Sequence, residues 1–313
     1  MVRGDAVQFD DGGVADGVED GIVNHGALQF CDIVSEIAKD YAFHRRISTA
    51  LCYHERYQIE TTAGCMVFTK INNTPFPDAL EAEAIGLKWL RKLLPADVVS
   101  VPEVYAVDDT QMKMQQIDAV GQWSDQKAKL LAEGLAAMHR MPQPYYGFEE
   151  SNYIGLNPQY NQRHCSWGEF FLGERLQVQV SMIEDKEKHR YCEISLGHMG
   201  QCLTDYLNEH CSHPSLVHGD LWRGNCLLDA ERVWLIDPAV YFADREVDIA
   251  MTEFFGGFPS AFIEAYNRHF PLSSEYENKR DIYNLYHALN HYNLFGDSYW
   301  GECERGFDAI NRL

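Results

Sequence analysis

The chain has 313 residues, 46% of them hydrophobic and 23% charged, a balance typical of a globular protein large enough for two lobes. Its 47 acidic against 26 basic residues give a net charge of −21, which excludes the clustered basic surface that nucleic acid demands. The same charge requires any nucleotide site to be locally basic or metal-assisted.

No apolar run approaches the ~20 residues that cross a bilayer. The first residues, MVRGDAVQFDDGGVADGVED, lack the basic-then-apolar pattern of a secretory signal, so the expected location is the cytosol, with no membrane partner. Nine scattered cysteines without a CxxC pair read as free or buried thiols rather than a disulfide framework or a zinc ribbon. The bunched His210, Cys211, Ser212 and His213 do not offer tetrahedral metal spacing.

In chain order, residues 1–26 show no sustained period and read as an acidic, disordered extension. A short amphipathic helix is expected from Leu28 to Lys39, with Ile33 and Ile37 four apart. ERYQIETTAGCMVFTK (55–70) reads as two strands about a Thr-Thr-Ala-Gly turn. The loop NNTPFPD follows, then the helix DALEAEAIGLKWLRKLL, which Pro95 ends, then strands in VPEVYAV and QMKMQQI. Residues 27–117 thus describe a small mixed lobe suited to a nucleotide.

From residue 118 the pattern turns helical. SDQKAKLLAEGLAAMHRM carries Ser124 as N-cap and Leu131, Leu135 and Met138 at helical spacing. A loop rich in Pro, Gly and Asn leads to a long helical stretch from about Ser166, and FPSAFIEAYNRHF and NKRDIYNLYHALNHYNLF read as further helices. The fold class is α+β: a two-lobed chain with a small mixed first lobe and a mainly helical second lobe, residues 118–313.

Between these helices lies LVHGDLWRGNCLLDAERVWLIDP, residues 216–238. Phosphoryl transfer needs a carboxylate for the attacking hydroxyl, oxygen ligands for Mg²⁺ and a cation on the nucleotide phosphates. His218-Gly219-Asp220 is followed by Asn225 and, after a hairpin turning near Asp229–Arg232, by Asp237. Protein kinases carry their base, metal-binding Asn and metal-binding Asp in this order and at this interval. Asp220 is therefore the candidate base, and Asn225 and Asp237 the candidate metal ligands. The alternative is a plain hairpin with polar ends.

Partner sites favour the kinase reading. Lys70 shares a strand face with Met66 and Phe68. Glu83 falls on the helical stripe Leu80, Leu87, Leu90 and Leu94, where a carboxylate is costly unless paired. Lys70 supplies the cation.

The runs HGDLWRGN, LIDPAVYFADREVDIAMTEFFGGF and YNLYHALNHYNLFGDSY, with EAEAIGLKWL, LAEGLAAMHR, YGFEESNYIGLNPQYN and WGEFFLGERL, resemble the fructosamine (ketosamine) kinase family. That family lies in the aminoglycoside- and choline-kinase-like branch of the protein-kinase fold. The resemblance spans residues 63–300. It implies ATP and Mg²⁺ as cofactors and, as acceptor, the sugar 3-hydroxyl of a ketosamine, either a small molecule or a glycated protein lysine. The phosphorylated adduct then releases its amine, which is deglycation.

By position it implies Lys70 and Glu83 at the phosphates, Gln115, Gln116 and Ile117 beside adenine, and Trp222 with His218 at the acceptor. One departure stands out: the family's Gly-Gly pair over the phosphates is replaced by FHRRISTALCYHERY, without glycine from His44 to Ala63. Arg45, Arg46, Ser48 and Thr49 are the candidate substitutes there, and Cys52 falls in the same stretch. Two other readings fit the same residues: a non-catalytic protein that binds nucleotide or glycated amine, and a kinase of another amino-sugar alcohol. Asp248 or Glu246 is expected to anchor the catalytic loop, and the i, i+4 pair His287 and His291 to be structural or pocket-lining.

Overall fold

The computed structural model describes residues 58–62 and 65–313. The acidic extension, the Leu28–Lys39 helix and the glycine-free stretch up to Tyr57 lie outside the described residues. β1 (Gln58–Thr62) and β2 (Cys65–Ile71) form the expected antiparallel pair, joined by β3 (Val104–Val107) and β4 (Gln111–Gln115) in a sheet of order β1-β2-β4-β3. β2 is central, with Lys70 opposite Met112 and Phe68 opposite Met114. Both of its edges are therefore paired, and its Val67, Thr69 and Lys70 are buried, Lys70 to 3% exposure.

Helix α1 (Ala79–Leu93) packs on this sheet because Leu80, Leu87, Leu90 and Leu94 recur on one face, all buried. Each contributes about 1.5–3 kcal/mol when fully removed from water. The helix ends at Leu94, whose extended backbone leads into Pro95.

Helix α2 (Asp125–His139) is capped by Ser124, whose hydroxyl accepts from Lys127 N at 3.3 Å, and it buries Leu131, Leu135 and Met138 completely. The following loop is more ordered than its composition suggests, since β5 (Asn152–Ile154) and β6 (Asn157–Gln159) form a small hairpin within it. The long helix expected from Ser166 is broken. It is α-helical over Trp167–Phe170 and Val178–Ser181 and π-helical over Phe171–Gln177, and α3 (Lys186–Glu209) starts afresh on an Asp185 cap.

β7 (Ser215–Val217) pairs with β10 (Tyr241–Ala243), and between them a hairpin comprises β8 (Cys226–Leu228) and β9 (Val233–Leu235). Helices α4 (Glu246–Phe254), α5 (Ala261–His269), α6 (Tyr276–Phe295) and α7 (Trp300–Ile310) complete the second lobe. The first and last of these were not read from the sequence. Ser100 ties the lobes together: its N–H donates to Val233 O, and its carbonyl accepts from Leu235 N, both at 2.9 Å. No helix among the described residues is long and apolar enough to cross a membrane.

Candidate active site

The hairpin turns where the sequence places the turn. Asp229 Oδ1 accepts from Glu231 N and Arg232 N, and its Oδ2 accepts from Trp234 Nε1 at 2.7 Å. This closure returns residue 236 beside Asn225, whose carbonyl accepts from Ile236 N at 3.1 Å. Asn225 and Asp237 therefore share one end of the hairpin.

Asn225 Nδ2 donates to Asp220 Oδ2 at 2.9 Å and to the Asp220 carbonyl at 2.8 Å. Its donor atoms face Asp220, which leaves the amide oxygen as the atom able to ligate a metal. Asp237 has φ +52, a left-handed conformation that aspartate tolerates better than most residues but that still costs about 1–2 kcal/mol.

Lys70 occupies the space between lobes. Its ammonium lies 2.6 Å from Glu83 Oε2 and 2.9 Å from Asp237 Oδ1. The pairing expected from the helical stripe is thus made, and it extends to the far lobe. Burial pushes the Glu83 carboxyl up to about 7; Lys70 opposes the rise and Asp237 adds to it. Burial likewise raises Asp220 to about 7, against the hydrogen bond from Asn225 that favours its charged form. A carboxylate poised there suits a proton acceptor near neutral pH.

The loop of residues 218–220 is held from behind by Asp248, which is completely buried. Its Oδ2 accepts from His218 N at 2.7 Å and its Oδ1 from Gly219 N at 2.9 Å, while His139 Nε2 lies 3.3 Å from Oδ2. Burial alone would raise its pKa, but these hydrogen bonds and the neighbouring histidines hold it below the usual value. Asp248, rather than Glu246, anchors the loop; Glu246 binds Ser273 and Lys279 instead. Gly219 takes φ +82, and a Cβ there would come within 2.0 Å of Ala239 O. Only glycine fits.

His218 requires a correction. It is 0% exposed, so it does not face an acceptor. Its Nδ1 accepts from Asp220 N at 3.3 Å and its Nε2 donates to Ile236 O at 3.0 Å, while burial lowers its pKa and keeps it neutral. It joins the Asp220 loop to the Asp237 loop.

Trp222 is half-buried, with its ring against Gly224 and 5.7 Å from Phe255, edge to face. Phe255 in turn meets His291 at 5.2 Å, which connects the two-histidine face of α6 to the Trp222 neighbourhood. In the inter-lobe segment Gln115 N donates to Glu103 O, Gln116 Nε2 donates to Ile117 O, and Ile117 is 8% exposed.

The donor set fits Mg²⁺ as a partner of a nucleotide. It comprises one amide oxygen and one carboxylate, both hard ligands, with the phosphates left to supply others. Among the described residues no group of three His, Cys, Asp or Glu could hold a metal unaided.

Comparison with known proteins agrees with this geometry. The chain matches the fructosamine kinase family over residues 34–312. It is 37% identical over 248 residues to the "Probable ketoamine kinase" of Vibrio parahaemolyticus, covering 78% of this chain and 84% of that one. It is 33% identical over 274 residues to the chloroplastic protein-ribulosamine 3-kinase of Arabidopsis thaliana, covering 84% and 81%. A crystal structure from Thermobifida fusca assigned as a fructosamine-3-kinase superposes with a TM-score of 0.71 at 26% identity, covering 86% of this chain and 98% of that one. Solved choline and aminoglycoside kinases share the fold at lower identity, a likeness of fold alone. The chain belongs to the fructosamine kinase family, and with it to the ATP-using phosphotransferases.

Proposed function

We propose that this chain transfers the terminal phosphoryl group of ATP to the 3-hydroxyl of a ketosamine, either a small molecule or the adduct on a protein lysine. The observation that carries this reading is the Lys70 ammonium held between Glu83 and Asp237, with Asn225 bonded to Asp220 beside them. The substrate class is supported by the ketoamine kinase and ribulosamine 3-kinase relatives.

In this reading the Asp220 carboxylate accepts the proton of the sugar hydroxyl as its oxygen bonds to phosphorus and the bond to the ADP oxygen breaks. Lys70, oriented by Glu83, binds the phosphates. Asn225 and Asp237 would hold Mg²⁺, which when bound would neutralise phosphate charge. Gln115, Gln116 and Ile117 border adenine, and Trp222 offers an aromatic face to the sugar and its amine. His218 positions Asp220 from within. A phosphate beside the ketosamine carbonyl is a far better leaving group than hydroxide, so its elimination leads to release of the amine and repair of the glycated group.

The test is ATP consumption over ribulosamines and fructosamines, with the phosphorylated product followed by mass. Wild type consumes ATP only with a ketosamine present. Asp220→Asn keeps an acceptor for Asn225 Nδ2, so it binds ATP, while its turnover falls about 10²–10⁴-fold. Absence of any ketosamine-dependent consumption refutes the proposal.

A further inference from the structure

The β5–β6 hairpin has no part in the roles assigned above, yet its polar side chains and that of Asn161 just beyond it are among the most buried of the described residues: Gln159 is 1% exposed, Asn161 3% and Asn152 6%. Burying three amides is costly unless each finds partners. The partners they find are informative. Gln159 Nε2 donates to Ala239 O at 3.1 Å, and Asn152 Nδ2 donates to Val240 O at 2.8 Å. These carbonyls lie two and three residues after Asp237.

Ala239 also faces the other way, since its N–H donates to His218 O at 2.9 Å. One peptide segment is therefore bonded to the hairpin on one side and to the base-bearing loop on the other. Behind the hairpin the amides are locked in turn. Gln159 Nε2 donates to Asn152 Oδ1 at 2.7 Å, and Tyr286 OH donates to Gln159 Oε1 at 2.8 Å.

The hairpin also reaches the first lobe. Tyr153 stacks on Phe76 with ring centroids 4.5 Å apart and donates its hydroxyl to Asp78 Oδ1 at 2.6 Å, at the N-terminus of α1. Helix α1 approaches the Asp237 loop directly. A Cβ on Gly86, three residues after Glu83, would lie 3.1 Å from Pro238 and 3.4 Å from Val240.

We propose that the β5–β6 hairpin is a positioning strap that fixes the Asp237 loop against both the Asp220 loop and helix α1, with Gln159 and Asn152 as its positioning residues. It rests on the reading of Asp237 as a metal ligand. Asp237 sits in a left-handed conformation before a proline, which surroundings must over-determine if it is to persist. The strap supplies that determination. Its two hydrogen bonds fix the peptide planes just beyond Pro238, and its Tyr153 end holds the helix that presents Glu83. Lys70 then meets both carboxylates at once, and Asp237 stands ready for the metal without reorganising.

The test compares full-length wild type, Gln159→Glu, Tyr286→Phe and, as a destabilised reference, Phe307→Leu in the buried face of α7. Gln159→Glu keeps the side-chain shape and the acceptor for Tyr286 but loses the amide hydrogens. The Mg²⁺ needed for half of the ATP-induced rise in Tm increases about fivefold to tenfold in Gln159→Glu and about twofold in Tyr286→Phe, and is unchanged in Phe307→Leu. In the nucleotide-free protein, the amides of residues 237 and 239–241 exchange about tenfold faster in Gln159→Glu, and in turnover its ketosamine KM stays within about twofold of wild type.

An unchanged Mg²⁺ requirement in folded Gln159→Glu, or an equal rise in Phe307→Leu, overturns the strap. Should Gln159→Glu not fold, Tyr286→Phe decides by the same criterion. A wild type that binds ATP with Mg²⁺ but phosphorylates no ketosamine sinks the substrate reading and leaves the strap standing. A wild type without Mg²⁺-dependent ATP binding sinks both.

Discussion

Asp248→Asn tests the anchoring of the catalytic loop with nearly no change in shape. The carboxylate satisfies two backbone donors, His218 N at 2.7 Å through Oδ2 and Gly219 N at 2.9 Å through Oδ1, with His139 beside Oδ2. Asparagine has one oxygen. Whichever way its amide turns, an NH₂ meets one of these N–H groups. The change removes one charge-assisted hydrogen bond, about 1.5–3 kcal/mol, and strands a buried donor at about 1–3 kcal/mol more. A loss of about 3–5 kcal/mol follows, which at about 2.1 cal/mol/K per residue lowers the Tm of a chain of this size by roughly 5–8 °C.

Circular dichroism melts measure the first effect. Turnover well below the new Tm measures the second, and it falls about tenfold or more because Gly219 and Asp220 lose their fixed position. Glu246→Gln is the control. It weakens equally buried bonds to Ser273 and Lys279, so Tm falls while turnover below Tm holds. An Asp248→Asn protein melting within about 2 °C of wild type would mean that the loop is held by something else.

Lys70→Met leaves the Glu83 and Asp237 carboxylates without the cation at 2.6 and 2.9 Å, and ATP affinity falls about tenfold or more; an unchanged Kd by titration removes Lys70 from the phosphate site. Trp222→Ala raises the ketosamine KM by the equivalent of about 1–3 kcal/mol and leaves the ATP KM nearly unmoved, and the opposite pattern contradicts its placement at the acceptor. His287 is 3% exposed, and burial lowers its pKa to about 3, below the unfolded value of 6.5. The folded state thus resists its protonation: the contribution is complete above 6.5 and is lost as pH falls toward 3. Between pH 7 and pH 5 that loss amounts to about 2 kcal/mol. His287→Asn should flatten the fall of Tm over this range, and parallel curves for variant and wild type would refute the assignment.

The features legible in the sequence are those whose signal is local. Ser124 caps a helix through an atom three residues away, and Asp229 closes a hairpin through donors two and three residues on. Glu83 betrayed its partner because an acidic side chain on an apolar stripe must find a cation, and the nearest strand offered one. His218 was misplaced because a motif fixes the order of residues along the chain but not which side of a loop faces water. The hairpin that holds the Asp237 loop escaped notice because its strands have three residues each and its amides resemble those of a solvated loop. Arg175 gave no signal either. It is fully buried within the π-helical turn, where its guanidinium lies 4.0 Å from the Tyr241 ring and donates to Asn161 Oδ1. Aromatic faces and amide oxygens replace the carboxylate that a sequence reading would seek.

The acidity of the chain and the chemistry of the cleft bear on each other. Glu83 and Asp237 meet at the ammonium of Lys70, the charge of Asp237 also acts on Asp220, and both Asp220 and Glu83 are pushed to about 7 chiefly by burial. Three carboxylates coupled in this way, two of them sharing one ammonium, cannot all stay ionised cheaply in a partly buried space, so a proton or an added cation has to make up the difference. A triphosphate arriving alone would deepen the deficit. Arriving with Mg²⁺ it would bring the missing positive charge, favour ionisation of Asp220 and so prepare the base in the same step that delivers the phosphoryl donor. On this argument ATP without metal binds weakly, and Mg²⁺ and ATP bind with positive coupling. The coupling is measured by titrating each ligand in the presence and absence of the other; equal affinities in the two series would show that the carboxylates of the cleft do not sense the metal.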